Sequence, residues 1–92
     1  MTILANDISQ KVQANRVWFA YNRLFIALND GREISVPLDR FSWLQWLAKA
    51  TDKQRDHWSI EPGGFAVYWE ELDDGIEIEH LLQLQPMQPL SN

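Results

Sequence analysis

The chain contains no cysteine, so disulfides, thiolate nucleophiles and thiolate zinc sites are excluded. No apolar run approaches the ~20 residues that a membrane-spanning helix requires. No basic segment followed by an apolar stretch marks a signal peptide, so a cytoplasmic location without membrane partners is expected. Glycine is scarce, and Gly63-Gly64 leads into no Lys-Ser or Lys-Thr pair, so it is not a phosphate loop. Basic charge is in deficit: eight Lys and Arg against thirteen Asp and Glu leave a formal charge of −5. From Lys11 to Arg55 the basic residues look scattered rather than clustered, which disfavours a broad contact with a phosphate backbone. Nucleic acid is not the expected direct partner.

Ninety-two residues, 46% of them hydrophobic, suffice for one domain with a single modest core. Five Trp, four Phe and two Tyr help such a core, because each buries a large area. No internal repeat or low-complexity tract interrupts the pattern.

Residues 1–15 read as an N-terminal extension. Leu4, Ile8 and Val12 share one helical face, with a strand containing Ile3 as the alternative. From Val17 the pattern becomes β. Val17, Phe19 and Tyr21 alternate with Trp18 and Ala20, and Asn22-Arg23 reads as a tight turn. Leu24, Ile26 and Leu28 share a face of the next strand, with Phe25 on the other. Asp30-Gly31 predicts a two-residue type I′ turn, since both residues tolerate positive φ. Ile34, Val36 and Leu38 alternate with Glu33, Ser35 and Pro37 and complete a three-stranded meander.

Helical signals follow. Ser42-Trp-Leu-Gln45 has the form of a capping box, with Phe41 and Trp46 placed for a hydrophobic staple. Trp43, Trp46, Leu47 and Ala50 fall at helical spacing and predict one apolar stripe. A second box, Thr51-Asp-Lys-Gln54, opens another short helix to about Trp58, so the expected helical segment is kinked. After Pro62-Gly-Gly64, Phe65, Val67 and Trp69 alternate with Ala66 and Tyr68 in a strand covered on both faces. Leu72 anchors the acidic run, and Asp73-Asp-Gly75 reads as the turn of a C-terminal hairpin. In its second strand Ile76 and Ile78 point inward while Glu77 and Glu79 point outward. Leu81 and Leu82 close the domain, and residues 83–92 read as a frayed tail.

Chemistry-bearing groups gather only in Tyr68-Trp-Glu-Glu-Leu-Asp-Asp-Gly-Ile-Glu-Ile-Glu-His80. Glu70, Glu71, Asp73 and Asp74 offer oxygens to a hard cation, but Leu72 and the strand alternation split them between faces. A solvated hairpin is the favoured account; a patch facing a basic partner and a metal site stand behind it in that order. His57, at a helix end, and His80, after two outward glutamates, lack any catalytic setting. Ser9, Ser35, Ser42 and Ser59 sit in no nucleophile elbow. No catalytic, cofactor-binding or metal residue is expected, and the chain reads as a non-enzyme. The aromatics point elsewhere. A core this small does not readily hide five Trp, and Trp18 with Phe25 falls on the meander face opposite the Leu24 row. Trp18, Phe25, Glu70, Glu71, Asp73 and Asp74 are therefore the candidate interaction surface. Trp43, Trp58 and Trp69 are expected in the core.

Asp30-Gly-Arg-Glu-Ile-Ser-Val-Pro-Leu38, Ala50-Thr51 with Gln54-Arg55, Trp58, and Trp69-Glu-Glu-Leu-Asp-Asp-Gly-Ile76 through Leu82 resemble a small bacterial domain-of-unknown-function family, numbered 2442. The likeness spans about Val17 to Leu82. Asp52 stands where the family often has Pro, Glu70 also replaces a Pro, and Gly75 replaces an acid. The last change weakens any idea of an obligatory acidic ligand set. The resemblance implies an α+β fold: a small, mainly antiparallel sheet, meander plus hairpin, carrying a short kinked helical segment. It implies no catalytic activity and no cofactor. Some members look like partners of a second small protein in toxin–antitoxin-like gene pairs, and others carry a fused helix-turn-helix reader, which is not expected after Leu82.

The expected function is a cytoplasmic, non-enzymatic interaction module, an antitoxin-like or adaptor partner of a small neighbouring protein, and self-association into a homo-oligomer is expected. The alternatives are a transcriptional-regulator component that touches DNA itself or through a partner, and a metal-dependent enzyme using the acidic hairpin.

Overall fold

Period-two alternation governs the first half of the chain, and the computed structural model, which describes residues 12–84, folds it into three antiparallel strands. These are β1 (Ala14–Ala20), β2 (Arg23–Leu28) and β3 (Glu33–Pro37), in that spatial order. Val17, Leu24, Ile26, Leu28, Ile34 and Val36 occupy the inner face and are buried. Each such side chain contributes about 1.5–3 kcal/mol relative to exposure. β1 begins at Ala14, three residues earlier than the alternation indicated. Val12 precedes it outside any helix. The helical or strand reading of Ile3, Leu4 and Ile8 lies outside the described residues, as does most of the tail from Gln83.

Both meander turns differ in detail from expectation. Ala20 pairs with Arg23, so the first turn is Tyr21-Asn22, with φ of 54° and 57°, not Asn22-Arg23. Positive φ at both central positions marks the type I′ geometry that suits strand twist. Tyr21 therefore leaves the face it would share with Val17 and Phe19 and stands 91% exposed. The Asp30-Gly31 turn is a three-residue loop. The Leu28 carbonyl accepts from the Gly31 amide at 3.1 Å, and the Leu28 amide donates to the Arg32 carbonyl at 2.8 Å. Only Gly31 of this loop takes positive φ, 93°. A tight turn followed by a left-handed glycine makes a bulged hairpin, for which Asp-Gly is equally suited.

The helical segment is kinked as expected, but its first cap is absent. Ser42–Leu44 forms a 3₁₀ turn that leads into α1 (Gln45–Ala48). The Gln45 amide donates to the Ser42 carbonyl rather than to its hydroxyl, so no capping box forms there. This tighter entry also shifts the apolar stripe. Leu44 and Leu47 are fully buried, whereas Trp43 and Trp46 flank them half-buried. α2 (Asp52–Asp56) has the complete second box: the Gln54 amide donates to Thr51 Oγ1 at 3.1 Å, and the Thr51 amide to Gln54 Oε1 at 3.0 Å.

α2 ends at Asp56, and Trp58 opens a strand instead of closing a helix. β4 (Trp58–Ile60), β5 (Ala66–Trp69) and β6 (Asp74–Glu77) make a second antiparallel sheet with β5 central. The expected C-terminal hairpin thus acquires a third strand. Trp69 pairs with Asp74 and Tyr68 with Gly75, which places Gly75 in the ladder and not in the turn. A Cβ at Gly75 would lie 2.7 Å from the Val67 carbonyl oxygen, so close backbone approach requires glycine there. The connection is instead a 3₁₀ turn, Glu70–Leu72, followed by Asp73 at φ 52°. Ile78, expected in the strand, opens α3 (Ile78–Gln83), whose Ile78 and Leu81 are buried at helical spacing. Its amide still donates to the Phe65 carbonyl at 2.8 Å. Side chains from both sheets, α1 and α3 form one core cluster, with Trp69 fully buried within it.

Candidate interaction surfaces

The meander has one core face, so strand geometry dictates what the other presents. Arg16 lies opposite Ala27 and then Glu33, Trp18 opposite Phe25 and then Ser35, and Ala20 opposite Arg23 and then Pro37. Trp18 and Phe25 are brought together as expected: their rings stack at 5.4 Å between centroids and 9° between planes. Both remain partly exposed. Cross-strand aromatic pairs of this kind contribute about 0.5–1.5 kcal/mol beyond area burial.

The Arg16 guanidinium lies 4.8 Å from the Trp18 ring centroid. At the other end of the face Arg23 donates from Nε to Ser35 Oγ at 2.7 Å and from Nη2 to the Ser35 carbonyl at 3.5 Å. Neither arginine pairs with a carboxylate among the described residues, whose ion pairs are Asp30–Arg32 and His57–Glu71. Sequence reasoning named the two rings and missed both arginines. Their signal was available, since Arg16 is two residues from Trp18 and Arg23 two from Phe25.

Glu70, Glu71 and Asp73 sit exposed on the connection between β5 and β6, and Asp74, also exposed, opens β6. They do not converge. Glu71 Oε2 lies 2.6 Å from His57 Nδ1, and Asp73 Oδ1 accepts from the Tyr68 hydroxyl at 2.6 Å. Asp74 Oδ1 accepts from the Gly75 amide at 2.8 Å. Among the described residues no group of three or more His, Asp or Glu side chains is arranged to hold a metal ion. The bond to Asp73 raises the Tyr68 phenol above its ordinary value of 10.0, and partial burial and the Asp73, Glu70 and Glu61 charges act in the same sense. His80, expected beside a strand, lies on α3 with its ring 4.6 Å from that of Trp43.

The remaining tryptophans are occupied internally. Trp69 sits edge-on to Phe19 and Trp46 at 6.2 and 5.6 Å, and Trp46 Nε1 donates to the Trp43 carbonyl at 2.7 Å. A groove of about 390 Å³ opens between Phe65, Ile78 and Leu82, beside Glu77 and Glu79, and none of the candidate interaction residues lines it. Charge divides along the chain: every Lys and Arg lies at or before Arg55, and eight of the thirteen acids lie after it. No helix among the described residues is long and apolar enough to cross a membrane.

Residues 14–86 match the family described as protein of unknown function (DUF2442). No curated protein matches the chain. Two solved structures share its fold at 22% identity. One is the crystal structure of a protein of unknown function from Rhodospirillum rubrum, with a TM-score of 0.68 over 80% of this chain and 88% of that one. The other is the solution structure of an uncharacterized protein from Chromobacterium violaceum, with a TM-score of 0.65 over 87% of this chain and 71% of that one.

Proposed function

The chain belongs to the DUF2442 family, and on that premise we propose that it is a cytoplasmic, non-enzymatic protein-interaction module. The outer face of the meander supports this reading best. A stacked Trp–Phe pair there is left partly in water, although the same fold fully buries another tryptophan, Trp69. Trp and Arg are the side chains that most often carry interface energy, and Arg16 and Arg23 flank the pair. The family residues Thr51, Gln54, Arg55, Trp58 and Trp69 are engaged in caps, strand pairing and packing, so they supply architecture. The partner in this reading is a small neighbouring protein or a second copy, in the manner of an antitoxin or adaptor.

Light scattering after size-exclusion chromatography, with a pull-down of the neighbouring gene product, tests the proposal. A complex or an oligomer is expected. A strictly monomeric chain that captures nothing overturns it, and a salt-dependent shift of a DNA duplex by the chain alone would replace it.

A further inference from the structure

We propose that the outer meander face is one half of a self-association contact, and that its occupant is the acidic turn Glu70–Asp74 of a second copy. This rests on the interaction-module reading and names the partner. Arg16 and Arg23 have no carboxylate partner among the described residues, and a guanidinium beside aromatic rings is suited to paired hydrogen bonding with a carboxylate. A polyanion fits less well. The stacking surface of Trp18 is already taken by Phe25 and Arg16, which leaves little for a nucleobase. The chain beyond Arg55 holds eight acids and no Lys or Arg, and would repel a phosphate backbone. That same half supplies the complementary charge: all four acids are exposed, with Asp74 Oδ1 on the Gly75 amide and Glu71 and Asp73 held by His57 and Tyr68. Each copy carries one acidic turn and one aromatic face on which two arginines, Arg16 and Arg23, outnumber the single carboxylate, Glu33. The proposed assembly is the twofold pair, in which the contact is made twice and closes as a dimer, as a head-to-tail repeat would not.

Sedimentation equilibrium of the full chain tests this. A dimer is expected whose dissociation constant weakens as salt rises from roughly 0.05 to 0.5 M. Arg16→Glu and Glu70→Lys should each weaken it by about tenfold or more, with thermal melts confirming that both variants fold. An equimolar mixture of the two variants should restore dimers, because one contact is then native and the other charge-swapped. A monomer at every salt concentration, variants that dimerise like the parent, or a mixture no tighter than its components overturns the contact. A monomer that still captures the neighbouring protein, and loses it on Arg16→Glu, overturns self-association while the interaction reading stands. A chain that neither dimerises nor captures loses both.

Discussion

The indole nitrogen of Trp69 donates a 3.0 Å hydrogen bond to the backbone carbonyl of Arg55, and this bond ties the second sheet to the end of α2. The Arg55 side chain then reaches back to α1, donating from Nε to the Leu47 carbonyl at 3.1 Å and from Nη2 to the Ala48 carbonyl at 2.9 Å. Its guanidinium also lies 5.5 Å from the Phe19 ring of the meander. One residue thus joins two helices and both sheets.

Replacing either partner should cost more than a surface substitution. Arg55→Ala removes the side-chain donors to the last carbonyls of α1, of which Leu47 keeps the Ala50 amide at 3.2 Å, and is expected to destabilise by about 1–3 kcal/mol. Trp69→Phe leaves the Arg55 carbonyl unpaired and opens space beside Phe19 and Trp46, at about 2–4 kcal/mol. Urea denaturation midpoints measure both. Losses below 0.5 kcal/mol, on the order of an ordinary surface change, would contradict the role assigned to this junction.

The two Ser/Thr–x–x–Gln boxes look alike in sequence and differ in structure, so they should respond differently. Thr51→Ala removes a real cap and should cost about 1 kcal/mol. Ser42→Ala removes a hydroxyl that caps nothing and should stay within about 0.5 kcal/mol. Equal losses in thermal or urea unfolding would show that Ser42 caps after all.

Tyr21 holds φ of 54° at the first position of its turn, a region costly for a residue with a Cβ and eased for asparagine. Tyr21→Asn is expected to raise stability by a few tenths to about 1 kcal/mol. A loss of stability in urea unfolding would mean that the exposed ring makes contacts that outweigh its backbone strain.

Tyr68 should titrate above an ordinary phenol because its hydroxyl donates to Asp73. In a Tyr21→Phe background, ultraviolet absorbance reports Tyr68 alone, and Asp73→Asn should lower its midpoint. The neutral phenol is the bonded form, so the folded pKa lies above the unfolded one. The stabilisation is complete below the unfolded value, near 10, and disappears as pH rises through the folded value. A midpoint unchanged by Asp73→Asn would dismiss the bond.

How far each element was legible in the sequence follows from the range of its cause. The meander was, because alternation in Leu24–Leu28 and Ile34–Leu38 is written residue by residue. The Thr51 cap was too, since donor and acceptor are three residues apart. β4 was not: three residues cannot display a period, and Trp58 becomes strand only because Trp69 pairs with it. Ile76 and Ile78 alternate as a strand would, yet burial of Ile78 with Leu81 makes the chain coil there. Trp18 and Phe25 were recognised as one face from their parity, whereas the turn register that sets them opposite each other was misplaced by one residue.

Composition and local pattern therefore determined the class of fold, the exclusion of thiol chemistry and the face on which Trp18 and Phe25 lie. Tertiary structure alone decided that Gly75 sits in a ladder, that Arg55 joins four elements, and that His57 meets Glu71. The division is physical. Period, capping and charge act over a few residues of chain, while strand register and side-chain hydrogen bonds across elements exist only once distant segments share a core.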